Sequence, residues 1–250
     1  MTNDRLASRI VEDLARLGVG EGSLIMVHSS LKAFGIDGLS PDAVIRALRD
    51  AVGESGTLLM PALSYSQSPP DVHDTVQTPS NVGVIPETFR TQPGTVRSIH
   101  PTHSVCGVGP LAAGLLADHA ADSTPCGPNS PFRRILELDA KIVMLGCGLR
   151  PNTTMHAIEE LSPPPYLFGD DRAYTITPHD GRSYRKTYRT HGFAGWTQRY
   201  DRIADLDDGS LLTSGNVLNA AVHVIDTRAL KRLALPVLAD RPLYFVDEDR

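Results

Sequence analysis

The chain predicts an α/β fold, three α/β/α layers around a central mixed sheet, and three observations carry that reading. Amphipathic helices and short apolar strands alternate through residues 4–61. A further apolar run at residues 141–146 leads straight into a helix start. Hydrophobic residues make up 41% of the 250, enough apolar material for a substantial core.

Residues 4–17 place Leu6, Ile10, Leu14 and Leu17 on one helical stripe that Gly18 stops. Leu24-Ile25-Met26-Val27 is a short strand ending in His28-Ser29-Ser30. Ser40-Pro41-Asp42 opens a second helix carrying Val44, Ile45, Leu48 and Val52, and residues 56–61 form a second strand. Residues 62–82 are polar and proline-rich and read as a long loop, a kind of segment that is often functional. Helices are expected at 83–91, from Gly109-Pro110 through Leu116, and at 132–138, with turn-rich residues 124–131 between the last two. After residues 141–146, Asn152 or Thr153 can cap a helix carrying His156, and Pro163-Pro164-Pro165 breaks the pattern. Residues 174–177 and 183–188 pattern as a hairpin around His179-Asp180-Gly181. Residues 196–206 read as a helix, 218–224 as a strand or buried helix, 227–235 as a helix and 243–246 as a short strand. No repeat or linker divides the sequence, so residues 1–250 are expected as a single domain. The C-terminal hairpin and helix would form its substrate side.

The formal net charge is −5, from 24 basic and 29 acidic side chains, with no polybasic run. That argues against a nucleic-acid partner and leans weakly towards a cationic ligand. Cys106, Cys126 and Cys147 are odd in number and lack metal spacing. They read as reduced thiols of a cytoplasmic protein, with Cys147 either a nucleophile or a small residue in a tight loop. The N-terminus has no apolar signal core, and no run approaches the ~20 apolar residues that cross a bilayer. A soluble protein without a membrane partner is expected.

Three histidine-bearing segments could carry chemistry. His28-Ser29-Ser30 lies at a strand end, where it is either an anion or oxyanion site or a turn with a packed histidine. His100-Pro101-Thr102-His103 offers two imidazoles in an extended loop, either metal ligands or a stiffened pocket wall. His156 and Glu159 stand at i and i+3 on a helix beginning just after a strand, where a general base is often found. The bland alternative is a surface histidine beside an acidic helix start. Glu160 and the cluster Asp205, Asp207 and Asp208 read as solvated. No Walker loop, GxGxxG or GxSxG is present, which removes nucleotide hydrolysis, dinucleotide redox chemistry and the common esterases.

Together, residues 27–31, 56–61, 97–105, Gly127-Pro128-Asn129-Ser130-Pro131-Phe132 and Asn152-Thr153-Thr154-Met155-His156 resemble the aminoglycoside 3-N-acetyltransferase family. The resemblance runs from about residue 5 to 161 and weakens beyond. It implies an antibiotic-resistance acyltransferase using acetyl-CoA, without a metal, on a fold distinct from the more widespread acetyltransferase fold. By the same resemblance Ser29, Ser30, Leu31, Phe34, Gly35, Arg97, Ser98, Thr102, His103 and Ser104 would bind coenzyme A. His156 would activate the acceptor amine, with Glu159 behind it and His28 orienting the amine or carbonyl. An amine is protonated at neutral pH and needs such a base before it attacks a thioester, and an imidazole suits the task. Backbone N–H groups near Ser29 and Ser30 are candidates for the oxyanion, and no covalent enzyme intermediate is required.

Residues 164–168, 191–193 and 198–202 depart from the drug-resistance pattern, which leaves acetyl transfer intact and the acceptor open. Acceptor contacts are expected from this half and from residues 62–82, with Tyr65, Glu160 and Asp171 as candidates. Asp74, Asp170 and Asp201 could add to an acidic pocket for a polycationic sugar. The partner is then a small-molecule amine, with a homodimer as an open assembly state. Two other readings stand: a metal-dependent hydrolase built on His100 and His103, and a non-catalytic relative that binds coenzyme A.

Overall fold

The computed structural model describes residues 2–249. The chain runs through α1 (Asn3–Arg16), β1 (Leu24–Ser29), α2 (Pro41–Val52), β2 (Thr57–Pro61), β3 (Val72–Asp74), α3 (Val84–Thr91), β4 (Val96–Arg97) and β5 (Val105–Val108). It continues through α4 (Ala112–Leu116), α5 (Pro131–Arg134), β6 (Ala140–Leu145), α6 (Thr154–Leu161), β7 (Phe168–Thr177) and β8 (Tyr184–His191). The last elements are β9 (Trp196–Gln198), β10 (Leu212–Val217), β11 (Ala220–Asp226), α7 (Thr227–Asp240) and β12 (Val246–Glu248).

Seven strands form the central sheet in the order β10-β11-β6-β1-β2-β5-β4. β1 pairs parallel with both β2 and β6, while the β2–β5, β5–β4, β6–β11 and β11–β10 pairs are antiparallel. The sheet is therefore mixed, as expected. Side chains alternate across a strand, so a strand buried on both faces feeds two cores. Ile25, Val27, Leu58, Met60, Val143 and Leu145 face one core with α1, α2 and α3. Leu24, Met26, Leu59, Ile142 and Met144 face the other, with α4, α5, α6 and α7. The result is three layers, α/β/α.

Three local expectations change. Residues 196–206 are not one helix but β9 followed by a 3-10 segment, Tyr200–Leu206. Pairing of β9 with β12 takes the first part, and the three-residue repeat buries Tyr200 and Ile203. Residues 218–224 resolve to strand, because β10 and β11 close a hairpin whose turn holds Leu218 at φ 51°. The 62–82 loop is not structureless: β3 within it pairs parallel with β7.

β6 is followed directly by Gly146, which has φ 73°. A Cβ there would collide with Ala33 Cβ, whereas at Gly148, φ 66°, it would meet nothing within 4 Å. Gly146→Ala is expected to lose about 2–4 kcal/mol of stability from strain plus overpacking. Gly148→Ala should lose only the strain, about 1 kcal/mol. Urea unfolding of both variants checks the order; equal losses would contradict it.

Candidate active site

β1 lies between β6 and β2; the connection after β1 runs through α2 on one face of the sheet, and the one after β6 runs through α6 on the other. In open α/β sheets the crevice beyond the carboxyl ends at such a switch point is where ligands bind. A cavity of about 600 Å³ opens there. β1 contributes His28 and Ser29, the 62–82 segment contributes Leu63, Tyr65, Asn81 and Val82, and the β6–α6 connection contributes Cys147, Arg150, Pro151, Asn152 and Thr153.

α6 follows that connection with Thr153 at its N-cap, and Asn152 Oδ1 accepts the Thr154 N–H at 3.1 Å in a turn just ahead of it. This places His156 on the first turn, facing the cavity, and Glu159 one turn on, fully buried. Glu159 Oε2 lies 2.9 Å from His156 Nδ1 and accepts from Tyr200 OH at 2.8 Å. Its other oxygen accepts from Tyr166 OH at 2.8 Å. Burial and the nearby carboxylate push both phenols well above the usual tyrosine range, so they stay donors. With a carboxylate at Nδ1, that nitrogen carries the proton and Nε2 keeps its lone pair. Phe193, at the left-handed φ of 55°, brings its ring 5.2 Å from that of His156.

His28 lines the cavity, and burial pulls its pKa down to about 3, so it is a neutral imidazole. Ser29 Oγ is buried with no partner, whereas the Ser30 N–H donates to Leu145 O at 2.9 Å. Of the two serines, the free donor at this strand end is thus the Ser29 hydroxyl rather than the Ser30 amide, and His28 Nε2 beside it is likewise unpartnered. Cys147 also lines the cavity, but burial pushes its thiol up to about 12, which disfavours a thiolate nucleophile.

Several expected ligand contacts are interior groups instead. Arg97 is buried and donates to Ser104 Oγ, Ser64 Oγ and the carbonyls of Ala62, Thr75 and Thr78. These contacts engage all the nitrogens of its guanidinium, so it braces the 62–82 segment. Ser98 Oγ bonds His119 Nδ1 and the Val105 N–H, and Ser104 Oγ donates to Ala62 O. Phe34 is a core residue, and the Gly35 N–H donates to Lys32 O in a left-handed turn. Leu31 packs half-buried against the same core. Thr102 bonds the neighbouring His103, which does line the cavity.

Glu160 is not solvated. It is buried, accepts from Thr124 Oγ1 and the Cys126 N–H, and stands 2.8 Å from His191 Nε2. Asp171 is exposed on β7, away from the cavity, and Tyr65 is on its wall. Among the described residues no carboxylate lines the cavity, so the expected acidic wall is absent. His100 does not join His103 at a common point; its Nδ1 accepts from the Thr102 and His103 N–H groups while its ring stacks on His119. Tyr166, Tyr200 and His191 were not singled out by sequence, and only their place in the departing C-terminal segments hinted at them.

A family model described as aminoglycoside 3-N-acetyltransferase matches residues 26–239. The chain belongs to the aminoglycoside 3-N-acetyltransferase family. It is 33% identical over 241 residues to aminoglycoside N(3)-acetyltransferase IV of Salmonella sp, covering 96% of this chain and 89% of that one. It is 36% identical over 178 residues to aminoglycoside N(3)-acetyltransferase VII of Streptomyces paromomycinus, covering 63% of this chain and 61% of that relative's length. These family members are acyltransferases by name. A crystal structure of a histidine-to-alanine mutant of aminoglycoside acetyltransferase AAC(3)-IVa with a gentamicin superposes at TM-score 0.82 and 33% identity. That match covers 95% of this chain and 90% of the other. The structure of AAC-IIIb with CoASH also gives TM-score 0.82, at 26% identity over 94% and 96% of the two chains. No helix among the described residues is long and apolar enough to cross a membrane.

Disturbing these interior groups should be costly. Arg97→Lys, with fewer donors, should lose about 2–4 kcal/mol of stability in denaturant unfolding. A ligand-binding arginine would instead leave stability unchanged and weaken ligand affinity. Burial also lowers the pKa of His28 and His73 to about 3 and of His119 to about 4, and holds His100, His103 and His191 well below the usual range. Below about pH 6.5 the unfolded chain binds these protons and the fold does not, so stability falls as pH drops towards 4. Each histidine contributes up to about 1.4 kcal/mol per pH unit. Glu160 and Asp122, raised by burial, oppose this but are outnumbered. A flat unfolding midpoint between pH 6.5 and 4 would contradict it.

Proposed function

We propose that the chain transfers the acetyl group of acetyl-CoA to an amine of an aminoglycoside or related amino compound, with His156 as general base. The observation that carries this reading is the His156 side chain: Nδ1 is tied to buried Glu159 and Tyr200, and the ring lines the cavity. The acceptor amine, having released its ammonium proton to solvent, gives a second proton to Nε2 as its nitrogen attacks the thioester carbonyl. The carbonyl oxygen then carries negative charge, for which the unpartnered Ser29 hydroxyl and His28 Nε2 on the cavity wall are candidate donors. The intermediate collapses, the C–S bond breaks, and the imidazolium returns its proton to the departing thiolate. Glu159 stabilises the imidazolium during its lifetime.

Cofactor and acceptor rest on the relatives, one of which is solved with CoASH and another with a gentamicin. Ser29, Thr102 and His103 are the candidates left for the acyl end of the cofactor, and Tyr65 for the acceptor side. With no carboxylate on the wall, amine selection would fall to neutral acceptors such as Asn81, Gln198 and Tyr65. Three unpaired cysteines fit a reducing cytoplasm.

His156→Ala should lower kcat by about 10²–10⁴ while calorimetry still finds coenzyme A bound. Glu159→Gln, which presents an amide where the carboxylate stood, should fall between the wild type and His156→Ala in steady-state assays. Near-normal kcat for His156→Ala would sink the base assignment.

A further inference from the structure

Three imidazoles from separate parts of the fold meet on the cavity wall: His103 from the β4–β5 connection, His156 from α6 and His191 at the end of β8. Their ring centroids are 6.1, 5.5 and 4.7 Å apart, and one nitrogen of each lies within 4.8 Å of the others. On each ring one nitrogen is engaged elsewhere. His103 Nδ1 meets Thr102 Oγ1 at 2.8 Å, His156 Nδ1 meets Glu159 at 2.9 Å and His191 Nε2 meets Glu160 at 2.8 Å. His103 Nε2, His156 Nε2 and His191 Nδ1 are left free, and His191 Nδ1 is buried with no partner at all. Two of the three rings are backed by a carboxylate and the third by a hydroxyl, the outer-shell arrangement that orients metal-binding histidines.

We propose that His103, His156 and His191 form a binding site for a borderline transition-metal dication of the zinc class, with the fourth position open to the cavity. Tetrahedral coordination at about 2.0–2.1 Å needs nitrogens about 3.3 Å apart, within reach of side-chain torsions from the spacing seen here. Three neutral nitrogen donors suit zinc and its neighbours and not calcium or magnesium, which take oxygen ligands. Because the ion occupies the Nε2 lone pair of His156, the metal-bound form is inactive. That consequence, unlike the site itself, rests on His156 being the base.

The test is a calorimetric titration of chelator-stripped protein with zinc chloride, without acceptor or coenzyme A. One ion per chain is expected, with no binding of magnesium or calcium chloride. Glu160→Gln should weaken zinc about 10–100-fold and His191→Gln by more than that. Cys147→Ser, which removes the thiol on the same wall, should keep full affinity. No zinc binding, binding that both His191→Gln and Glu160→Gln leave unchanged, or binding lost in Cys147→Ser would each overturn the site. Saturating zinc should then stop acetyl transfer, and EDTA should restore it. Zinc bound through His191 with turnover undiminished would uphold the site and refute His156 as the base, so the two failures are told apart.

Discussion

One buried carboxylate organises the site. Glu159 is wholly removed from solvent, and a group of that polarity is tolerated inside a protein only when its hydrogen bonds are met. Its three partners arrive from three places: His156 on the same helix, Tyr166 just beyond it and Tyr200 from the 3-10 segment after β9. The C-terminal region must therefore fold back over α6 for the interior to be satisfied. That requirement couples closure of the cavity to the orientation of the imidazole, since the same oxygen meets both Tyr200 and His156.

The sheet supplies the other half of the geometry. β1 and β6 run parallel, so their carboxyl ends deliver His28, Ser29 and the start of α6 to one crevice. Pro163-Pro164-Pro165 cannot continue α6, and the Leu167 N–H closes a turn on Pro164 O that brings Tyr166 back towards Glu159. Arg97 plays the matching part on the opposite side, fastening the 62–82 segment through the carbonyls of Ala62, Thr75 and Thr78. Each wall of the cavity is thus held by a polar group that has no contact with bulk water.

This explains what the sequence could and could not disclose. The apolar runs of β1, β2 and β6 and the stripes of α1 and α2 depend on local period, and they were legible. So was the i, i+3 pair of His156 and Glu159, because a helix alone makes them neighbours. Tyr200 lies 44 residues from His156, and His191 31 residues from Glu160, so only the fold makes those contacts. Residues 196–206 misled because their apolar spacing suits a helix, while pairing with β12 is invisible locally. The burial of Arg97, Ser98 and Ser104 was not legible for another reason: a run of polar residues looks the same whether it serves a ligand or braces a buried loop.

An imidazole backed by a carboxylate is equally prepared to take a proton or a metal ion, since both bind the same lone pair. Its neighbours decide between them. His103 and His191 are half-buried on the cavity wall, and desolvation and the rings beside them disfavour their protonation. A second positive charge in so small a space is therefore opposed by both desolvation and repulsion. On the proposed function the cluster would accommodate one cation at a time: the proton passing from an attacking amine, held transiently at His156, or a dication shared among all three. Such a proton would need only one lone pair and would leave with the thiol product. A metal ion would use the convergence of three and have no such exit, so the surroundings that would suit His156 to act as a base would also expose it to capture.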